Sequence, residues 1–501
     1  MSFIEKIKVF LVPFFAKYRI EKMMKWVSQP MKTQTRVIKE LIKKGKQTNF
    51  GYAHDFEEIL SIDDFQNQVP IRTYEDLKPY IDRVTQGESN VLWPGIPKYF
   101  ATTSGTTSGK KYIPMTKEST PYHVDTALLS TLNYIHETGR AECMGGKIIF
   151  LQGSPVLQKI SNIPLGRLSG IVAHHVPGFL QKNRLPTMEI NSIEDWDAKL
   201  DAIVDQVIGE DLRIIGGIPS WIVGFFKKII EKTGKPVGNV FPNFNLFVYG
   251  GLNYEPYRNQ IEGLIGRAVD SIELFPASEG FFAFQDKQND KGLLLQLNSG
   301  IFYEFIPMDS YGTENQKCLT IGEVEVGVDY ALILTTNAGL WRYDIGDMVR
   351  FTSVNPYRIV VSGRTKHYIS AFGEHVIGKE VEEAMLVAQK KAPSLVKEFT
   401  VAPMIQPENG LPYHQWCIEF IQEPADIHRF ARILDLSIQS QNEYYRDLRE
   451  GKTLDETKVT IVSIGTFDTY QKSIGKFGGQ NKVKRLSNDR IMINELIKIN
   501  N

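Results

Sequence analysis

The chain has 501 residues, 42% of them hydrophobic, which is enough for a large core and a length that allows two to four domains. Its 58 lysines and arginines balance 58 aspartates and glutamates, so no overall field attracts nucleic acid and no nucleic-acid partner is expected. The three cysteines (Cys143, Cys318 and Cys417) are widely spaced, which argues against a disulfide framework or a zinc site and indicates a reducing cytoplasmic setting. No run approaches ~20 apolar residues, so no transmembrane segment is predicted.

An apolar stretch near the start, residues 9–15, reads VFLVPFF and is flanked by Lys6, Lys8, Lys17 and Arg19. It is too short and too charged for a signal peptide, and no small-residue cleavage site follows it. We expect a helix that docks on its own domain. A helix lying on a membrane surface is the alternative.

The next part of the chain alternates between helical and strand patterns. Residues 33–46 have the apolar spacing of an amphipathic helix, and residues 52–81 predict short helices with Asp63 and Thr73 as N-caps. Buried strands are predicted at residues 147–153, 212–215, 246–249 and 271–275, with helical patterns between them. This alternation predicts an α/β fold with ligands at the strand ends.

From residue 292 the pattern changes. Residues 293–297 and 301–306 flank an Asn-Ser-Gly turn, which predicts a β-hairpin, and further strands are predicted at 318–324 and 330–335. From residue 374 onward we predict a smaller α+β region. Its last strand, residues 459–464, is followed by a glycine-rich basic loop at 475–485.

The richest motif is residues 101–116, ATTSGTTSGKKYIPMT. Its glycines let backbone N–H groups surround an anion, its hydroxyls add donors, and its lysines neutralise phosphate charge. It differs from the usual P-loop, because the glycine spacing is one residue short and Lys111 replaces the magnesium-binding serine or threonine. Since the following residues indicate a strand, we expect a triphosphate held between two strands. A polar hairpin loop without a ligand is the alternative.

Two carboxylates complete a candidate site. Glu279 follows a predicted strand and precedes a glycine, which suits a carboxylate exposed in a cleft that holds magnesium. Asp347 follows Gly346 at a predicted strand end, where it would accept hydrogen bonds from ribose hydroxyls. Arg364 begins a polar joint that would also reach the nucleotide. For each of these, an ordinary loop residue is the alternative.

These stretches together resemble the acyl-adenylating superfamily, and within it the Gretchen Hagen family of acyl acid amido synthetases. The resemblance covers nearly the whole chain, including a lead-in at residues 65–87. The matching residues form three motifs: a phosphate motif, a serine–glutamate motif and the stretch at residues 340–347, which ends in Asp347. The first two consist of Thr103, Ser104, Gly105, Thr106, Thr107, Ser108, Gly109 and Lys111, and of Ser278 and Glu279.

The sequence departs from the family pattern at two places. Asp344 stands where the family usually has arginine, which puts a local ion pair in doubt. In the C-terminal lysine motif, Asn481 and Lys484 replace phenylalanine and proline. Lys482 is the best match for the catalytic lysine, with Lys476 and Lys484 as rivals.

The resemblance implies a large N-terminal adenylating domain, residues 1–364, with mixed sheets and a β-rich part, and a smaller mobile α+β lid, residues 365–501. It also implies a ligase that uses ATP and Mg²⁺ to convert a carboxylic acid into acyl-AMP and then passes the acyl group to an amine, typically an amino acid. By the same analogy, Tyr249, Gly250, Gly251 and Phe275 would line the acyl pocket. We expect a monomer. An acyl-coenzyme A ligase and a nucleotide-binding protein without catalysis are the alternatives.

Overall fold

The computed structural model describes residues 3–103, 111–251, 254, 257–365, 368–374, 376–474 and 483–500. Their helices are α1 (Phe3–Val27), α2 (Pro30–Gly45), α3 (Asn49–Ala53), α4 (Ile62–Gln68), α5 (Tyr74–Thr85), α6 (Thr120–Thr138), α7 (Leu168–Ala173), α8 (Gly178–Gln181), α9 (Met188–Asn191), α10 (Trp196–Val207), α11 (Pro219–Thr233), α12 (Val237–Val240), α13 (Arg258–Ile265), α14 (Gly378–Lys391), α15 (Ile427–Gln441), α16 (Glu443–Glu450), α17 (Thr466–Ser473) and α18 (Ile491–Asn500), with one 3₁₀ turn at Ala141–Gly145.

The strands of the same residues are β1 (Tyr99–Thr103), β2 (Lys111–Met115), β3 (Lys147–Phe150), β4 (Gln158–Ile160), β5 (Ile163–Gly166), β6 (Arg184–Leu185), β7 (Leu212–Gly217), β8 (Leu246–Gly250), β9 (Asp270–Ala277), β10 (Gly280–Gln285), β11 (Leu293–Leu295), β12 (Ile301–Pro307), β13 (Asp329–Thr336), β14 (Tyr343–Val354), β15 (Tyr357–Arg364), β16 (Tyr368–Ile369), β17 (Val376–Ile377), β18 (Leu395–Met404), β19 (Tyr413–Gln422) and β20 (Lys458–Val462).

The short helices near the start show how local sequence sets their ends. The predicted cap Thr73 is confirmed, since its backbone N–H and its hydroxyl both donate to the Asp76 carboxylate at 2.8 Å. The predicted cap Asp63 is wrong by two residues. Ser61 caps α4 instead, because its hydroxyl accepts the N–H of Asp64 while the Asp64 carboxylate accepts the N–H of Ser61.

The largest sheet runs β12-β13-β14-β15-β11-β10-β9-β8-β7-β3-β6 among the described strands. From β6 to β9 the neighbours are parallel, and from β9 to β12 they are antiparallel. The parallel half contains the four predicted strands, and the helices between them make it the expected α/β sheet. The predicted α/β fold is therefore confirmed.

Helices cover both faces of the parallel half, which is why its strands are continuous apolar runs. On one face Phe225 of α11 and Ile261 of α13 are fully buried in one apolar cluster. On the other face Met23 of α1 and Leu132 of α6 pack in a second cluster. The carboxyl ends of β3, β7, β8 and β9 therefore remain as the edge at which a ligand would meet the sheet.

The predicted hairpin over residues 293–306 is wrong. Strand β11 pairs with β10 and β15, whereas β12 pairs with β13. The side chain of Gln34 on α2 separates the two arms: its amide donates to the carbonyls of Leu297 and Ile301 at 2.8 and 2.9 Å and accepts the N–H of Tyr303 at 2.9 Å. A distant helix thus takes the hydrogen bonds that a hairpin partner would have taken.

The strand predicted at residues 318–324 is also wrong, because only Leu319 forms a bridge there, to Phe305. The strand predicted at 330–335 is confirmed within β13.

The C-terminal part has the expected α+β composition. Strands β18, β19 and β20 form a sheet, with α14 and α15 packed on one face and α17 and α18 on the other. One apolar cluster contains both Phe225 from the first part of the chain and Trp416 from this one. The division at residue 364 into two domains stays a prediction.

Candidate active site

A two-stranded ribbon supports the candidate phosphate loop. Strands β1 and β2 are antiparallel neighbours, and Thr103 lies opposite Lys111 at the end of the ribbon. The loop thus leaves and rejoins the sheet at adjacent positions, which confirms that a strand follows it. Its tip, with the predicted phosphate ligands Ser104, Gly105, Thr106, Thr107, Ser108 and Gly109, lies outside the described residues.

Two tyrosines hold Lys111. Its Nζ donates to the Tyr343 hydroxyl at 3.3 Å and lies 5.3 Å from the centre of the Tyr74 ring and 6.0 Å from that of Tyr343. The Tyr74 hydroxyl in turn accepts the backbone N–H of Tyr112 at 2.8 Å. Burial raises the pKa of Tyr74 to about 12 and that of Tyr343 well above its usual value, so both rings stay neutral. They orient the lysine without neutralising its charge.

Glu279 lies in the two-residue turn between β9 and β10, just beyond the carboxyl end of the last parallel strand. The expectation that it is exposed is wrong, because only 8% of the residue is accessible. Burial raises the pKa of Glu279, the charge of Lys111 lowers it, the charge of Asp347 raises it, and that of Arg364 lowers it. Ser278, the other residue of the turn, is half-buried.

The sequence suggested that Asp347 lies at a strand end, but it lies inside β14. A bulge removes it from the regular pairing of β14 with β13. Residues Met348 and Asp344 pair with Ala331 and Ile333, so 345–347 lie opposite a single residue of β13. Gly346, with a φ of +85°, allows this course of the backbone. Burial raises the pKa of the Asp347 carboxyl, and the charges of Arg364 and Lys111 oppose that rise.

Arg364 is the direct partner of Asp347. Its Nε lies 2.6 Å from Oδ1 of Asp347, and the two residues are opposite each other in the β14–β15 ladder. Its Nη1 also donates to the carbonyl of Ile345 at 3.2 Å, which ties it to the bulge. The sequence predicted both residues as nucleotide ligands without predicting that they bind each other.

The replaced arginine at position 344 has a local substitute. The Tyr311 hydroxyl donates to Oδ2 of Asp344 at 2.6 Å, and Oδ1 of Asp344 accepts the N–H of Gly346 at 2.9 Å. The doubted ion pair is thus replaced by two hydrogen bonds that fix the same bulge.

A buried ion pair anchors the start of this strand. Arg342 Nη2 lies 2.9 Å from Oε1 of Glu304, and the two side chains are 5% and 0% exposed. The guanidinium also donates to the carbonyls of Gln66 and Val69 at 2.7 Å. Because the guanidinium and the carboxylate both have hydrogen-bond partners, neither charge is left unpaired in the core, and the pair anchors Arg342 just before β14.

The predicted acyl-pocket residues lie at the same edge of the sheet. Tyr249 is the last residue but one of β8 and is 5% exposed, with its ring stacked 4.3 Å from that of Tyr254. Gly250 follows, where a Cβ atom would lie 2.4 Å from the carbonyl oxygen of Leu274. Gly251 has a φ of +81°. Phe275 on β9 is half-buried, with its ring 5.1 Å from that of Phe282. Their role as a pocket wall stays a prediction.

The C-terminal part contacts the β1–β2 ribbon close to the start of the candidate phosphate loop. The Tyr444 hydroxyl on α16 donates to the carbonyl of Thr102 at 3.2 Å. Arg167 lies 4.6 Å from the centre of the Tyr444 ring and pairs with Asp447 on the same helix. None of these residues was predicted from the sequence, and neither were Tyr74 and Tyr343, although both tyrosines lie within the stretches that carried the resemblance.

The candidate catalytic lysine, Lys482, and its rival Lys476 lie outside the described residues. The second rival, Lys484, is described and exposed, and its Nζ donates to the Ser487 hydroxyl at 3.2 Å.

Comparison with known protein families matches three successive parts of the chain. The GH3 family N-terminal domain matches residues 19–174, the GH3 family central domain matches 294–364, and the GH3 family C-terminal domain matches 379–491. The indole-3-acetic acid-amido synthetase GH3.3 of Arabidopsis thaliana is 21% identical over 90% of this chain and 88% of its own. The jasmonoyl-L-amino acid synthetase GH3.5 of Oryza sativa subsp. japonica is 22% identical over 83% of this chain and 84% of its own.

Solved structures share the fold. The GH3.15 acyl acid amido synthetase superposes with a TM-score of 0.60 at 16% identity, over 96% of this chain and 95% of that one. The 2-hydroxyisobutyryl-CoA ligase superposes with a TM-score of 0.57 at 12% identity, over 94% and 92%. The enzyme class predicted from the sequence, an adenylate-forming acid–amino acid ligase, is that of the curated relatives and is confirmed. Since successive domains of one family match well over half of the chain, the chain belongs to the GH3 family.

Proposed function

We propose that this chain uses ATP to convert a carboxylic acid into acyl-AMP. It then transfers the acyl group to the amine of an amino acid, which forms an amide. One observation carries the proposal: Lys111, at the end of the ribbon that bears the candidate phosphate loop, donates to the Tyr343 hydroxyl of β14, and the same strand carries Asp347, which binds Arg364 of β15. The charges of Lys111, Asp347 and Arg364 also act on the pKa of the buried Glu279. Residues from four separate segments of the chain therefore meet where a nucleotide would bind.

In the first half-reaction a carboxylate oxygen attacks the α-phosphorus of ATP, forming acyl-AMP, and the bond to the departing pyrophosphate breaks. The nucleophile is already anionic at neutral pH, so catalysis here consists of positioning and charge neutralisation. Lys111 supplies a fixed positive charge, and the hydroxyl and N–H donors of the loop add to it. Asp347, whose Oδ1 is bound by Arg364, accepts hydrogen bonds from the ribose hydroxyls through its carboxylate.

Magnesium fits Glu279. A buried carboxylate whose pKa is raised by burial gains from a cation beside it. Mg²⁺ ordinarily takes one or two protein carboxylates and fills its other positions with water and phosphate oxygens. Within the described part of the chain no group of three or more His, Cys, Asp or Glu side chains forms a ready-made cage. Glu279 would thus hold the ion together with ATP, where it would neutralise phosphate charge.

In the second half-reaction the amine nitrogen attacks the acyl carbonyl, the bond between that carbon and the phosphate oxygen breaks, and AMP leaves while the amine loses a proton. The contact of α16 with Thr102 places the C-terminal part of the chain against the phosphate ribbon. We propose that residues 365–501 form a lid over this site and that Lys482 reaches it from there.

A screen of pooled carboxylic acids and amino acids with ATP and Mg²⁺ tests the function, with pyrophosphate release and mass spectrometry as readouts. We expect acyl-AMP with at least one acid and an amide once the amine is added. A thioester formed with coenzyme A, with no amide from any amino acid, would point to the acyl-coenzyme A ligase. Nucleotide binding without pyrophosphate release for any acid would point to a binding protein.

Asp347→Asn is expected to weaken ATP binding about ten- to hundredfold, because a hydrogen bond to a charged group is lost. Isothermal titration calorimetry with the wild-type protein as reference measures the change. Asp344→Asn is the matched control, because Asp344 lies on the same strand and an asparagine there keeps the Oδ1 that accepts the N–H of Gly346. Unchanged affinity in Asp347→Asn would refute the ribose role.

Lys482→Ala is expected to slow acyl-adenylate formation about tenfold or more, while ATP binding persists. Lys484→Ala serves as the control, because that lysine binds Ser487. Single-turnover formation of acyl-AMP is the measurement. If the two variants lose the same activity, or if only Lys484→Ala loses it, Lys482 is not the catalytic lysine.

The three cysteines are free, and none of the described helices has the length and apolar character needed to cross a bilayer. A cytoplasmic location and a monomeric state belong to the same proposal.

A further inference from the structure

Helix α1 is apolar on two opposite faces, and the protein covers only one of them. Ala16, Ile20, Met23 and Val27 recur every three to four residues and are buried against α6 and the 3₁₀ turn. This face gives α1 the docking role expected from the sequence.

The opposite face of the first half of α1 carries a stripe of six exposed side chains, which we call the outer stripe. Its members share the helical spacing that puts them on one side: Ile7, Phe10, Leu11, Phe14, Phe15 and Tyr18, exposed by 43, 69, 54, 65, 45 and 61%. Single exposed apolar residues are common on proteins, whereas a contiguous stripe with four aromatic rings marks an interaction surface.

Charge identifies the occupant. Residues 1–46 contain twelve lysines and arginines against three glutamates, a net charge of +9 in a chain whose net charge is zero. Lys6 and Lys17 are exposed on the same half of α1 as the outer stripe, and Lys8 is half-buried beside it. A second copy docked on this face by a twofold axis would bring two such segments together, and their like charges would repel.

We propose that the outer stripe of α1 lies in the headgroup region of an anionic phospholipid bilayer, with the surrounding lysines on the phosphates. Such a surface matches both properties of the helix, because apolar rings enter the acyl boundary while cations bind the headgroups. The helix lies on the surface and does not cross it. This binding is independent of the ligase function proposed above.

Co-sedimentation of the full chain with vesicles tests the proposal. With vesicles of phosphatidylcholine containing about a quarter phosphatidylglycerol, we expect binding that falls as NaCl rises from ~0.1 to ~0.5 M. With pure phosphatidylcholine we expect binding at least about tenfold weaker. No sedimentation with the anionic vesicles would overturn the proposal.

Two variants distinguish binding through the outer stripe from non-specific hydrophobic binding. The double variant Phe10→Ser, Phe14→Ser is expected to weaken vesicle binding about tenfold or more, because it lacks two large apolar side chains that would move from water into the bilayer. The matched control is Leu386→Ser with Leu436→Ser, two exposed leucines on helices of the C-terminal part. An equal loss in both variants would overturn the assignment to α1. Circular dichroism and acyl-AMP formation in solution should match the wild-type protein in both.

Light scattering excludes the competing occupant. We expect the same mass for the wild-type chain and for the Phe10→Ser, Phe14→Ser variant. A wild-type dimer that this variant converts to a monomer would assign the outer stripe to a second copy and overturn the membrane proposal.

Discussion

Replacing Glu279 with glutamine is expected to lower the rate of acyl-adenylate formation about a hundred- to thousandfold, with ATP still bound. Glutamine preserves the size of the side chain in its buried turn, so the change removes a charge and leaves the packing nearly intact. That charge lies among Lys111, Asp347 and Arg364 and is the proposed protein ligand for Mg²⁺. Single-turnover formation of acyl-AMP measures the rate, and a magnesium titration should show that the variant needs more of the ion.

Glu273→Gln is the matched control for this change. Glu273 is a half-buried glutamate on β9, the strand that precedes Glu279. It lies in the part of β9 that pairs with β8, opposite Tyr249. We expect its adenylation rate to stay within a few-fold of the wild-type rate. An undiminished rate in Glu279→Gln at every magnesium concentration would remove Glu279 from the mechanism.

Replacing Lys111 with methionine is expected to reduce adenylation by a similar factor, about a hundredfold or more, because the positive charge proposed to neutralise the phosphates is lost. Methionine keeps the apolar contact with the rings of Tyr74 and Tyr343, which lie 5.3 and 6.0 Å from the amine. The fold should therefore persist, and thermal unfolding should confirm it. Pyrophosphate release is the measurement.

Lys98→Met provides the control for Lys111. Lys98 is an exposed lysine just before β1, and its amine lies 5.6 Å from the centre of the Tyr99 ring, so it shares the cation–aromatic contact but not the site. Near-normal pyrophosphate release is expected for it. If both variants lose activity equally, the effect comes from the charge of the ribbon as a whole and not from Lys111.

The features that depend on residues close together in the sequence could be predicted from the sequence. The strands of the parallel half were visible as short apolar runs ending in glycine, and the strand after the phosphate motif followed from its own side chains. The hairpin at residues 293–306 failed because Gln34, more than 260 residues away, takes its hydrogen bonds. The residues of a turn indicate the conformation that the segment prefers in isolation. A buried side chain from a distant helix can override that preference.

The candidate site was predicted in the same partial way. Glu279, Asp347, Lys111 and Arg364 were each identified from residue type and local setting. The contact between Asp347 and Arg364, the burial of Glu279 and the two tyrosines around Lys111 depend on how distant strands lie in the sheets. No pattern within one segment reports that placement. The bulge at residues 345–347 was equally invisible, since the sequence suggests a strand end at that point.

The close approach of two strands at Gly250 limits how the predicted acyl pocket can be altered. Any side chain at that position would meet the backbone of Leu274, 2.4 Å from the added carbon, and the sheet itself would have to move. Libraries built on the predicted acyl pocket should therefore keep this glycine and diversify Phe275, whose half-buried ring contacts the side chain of Phe282 and not a strand backbone.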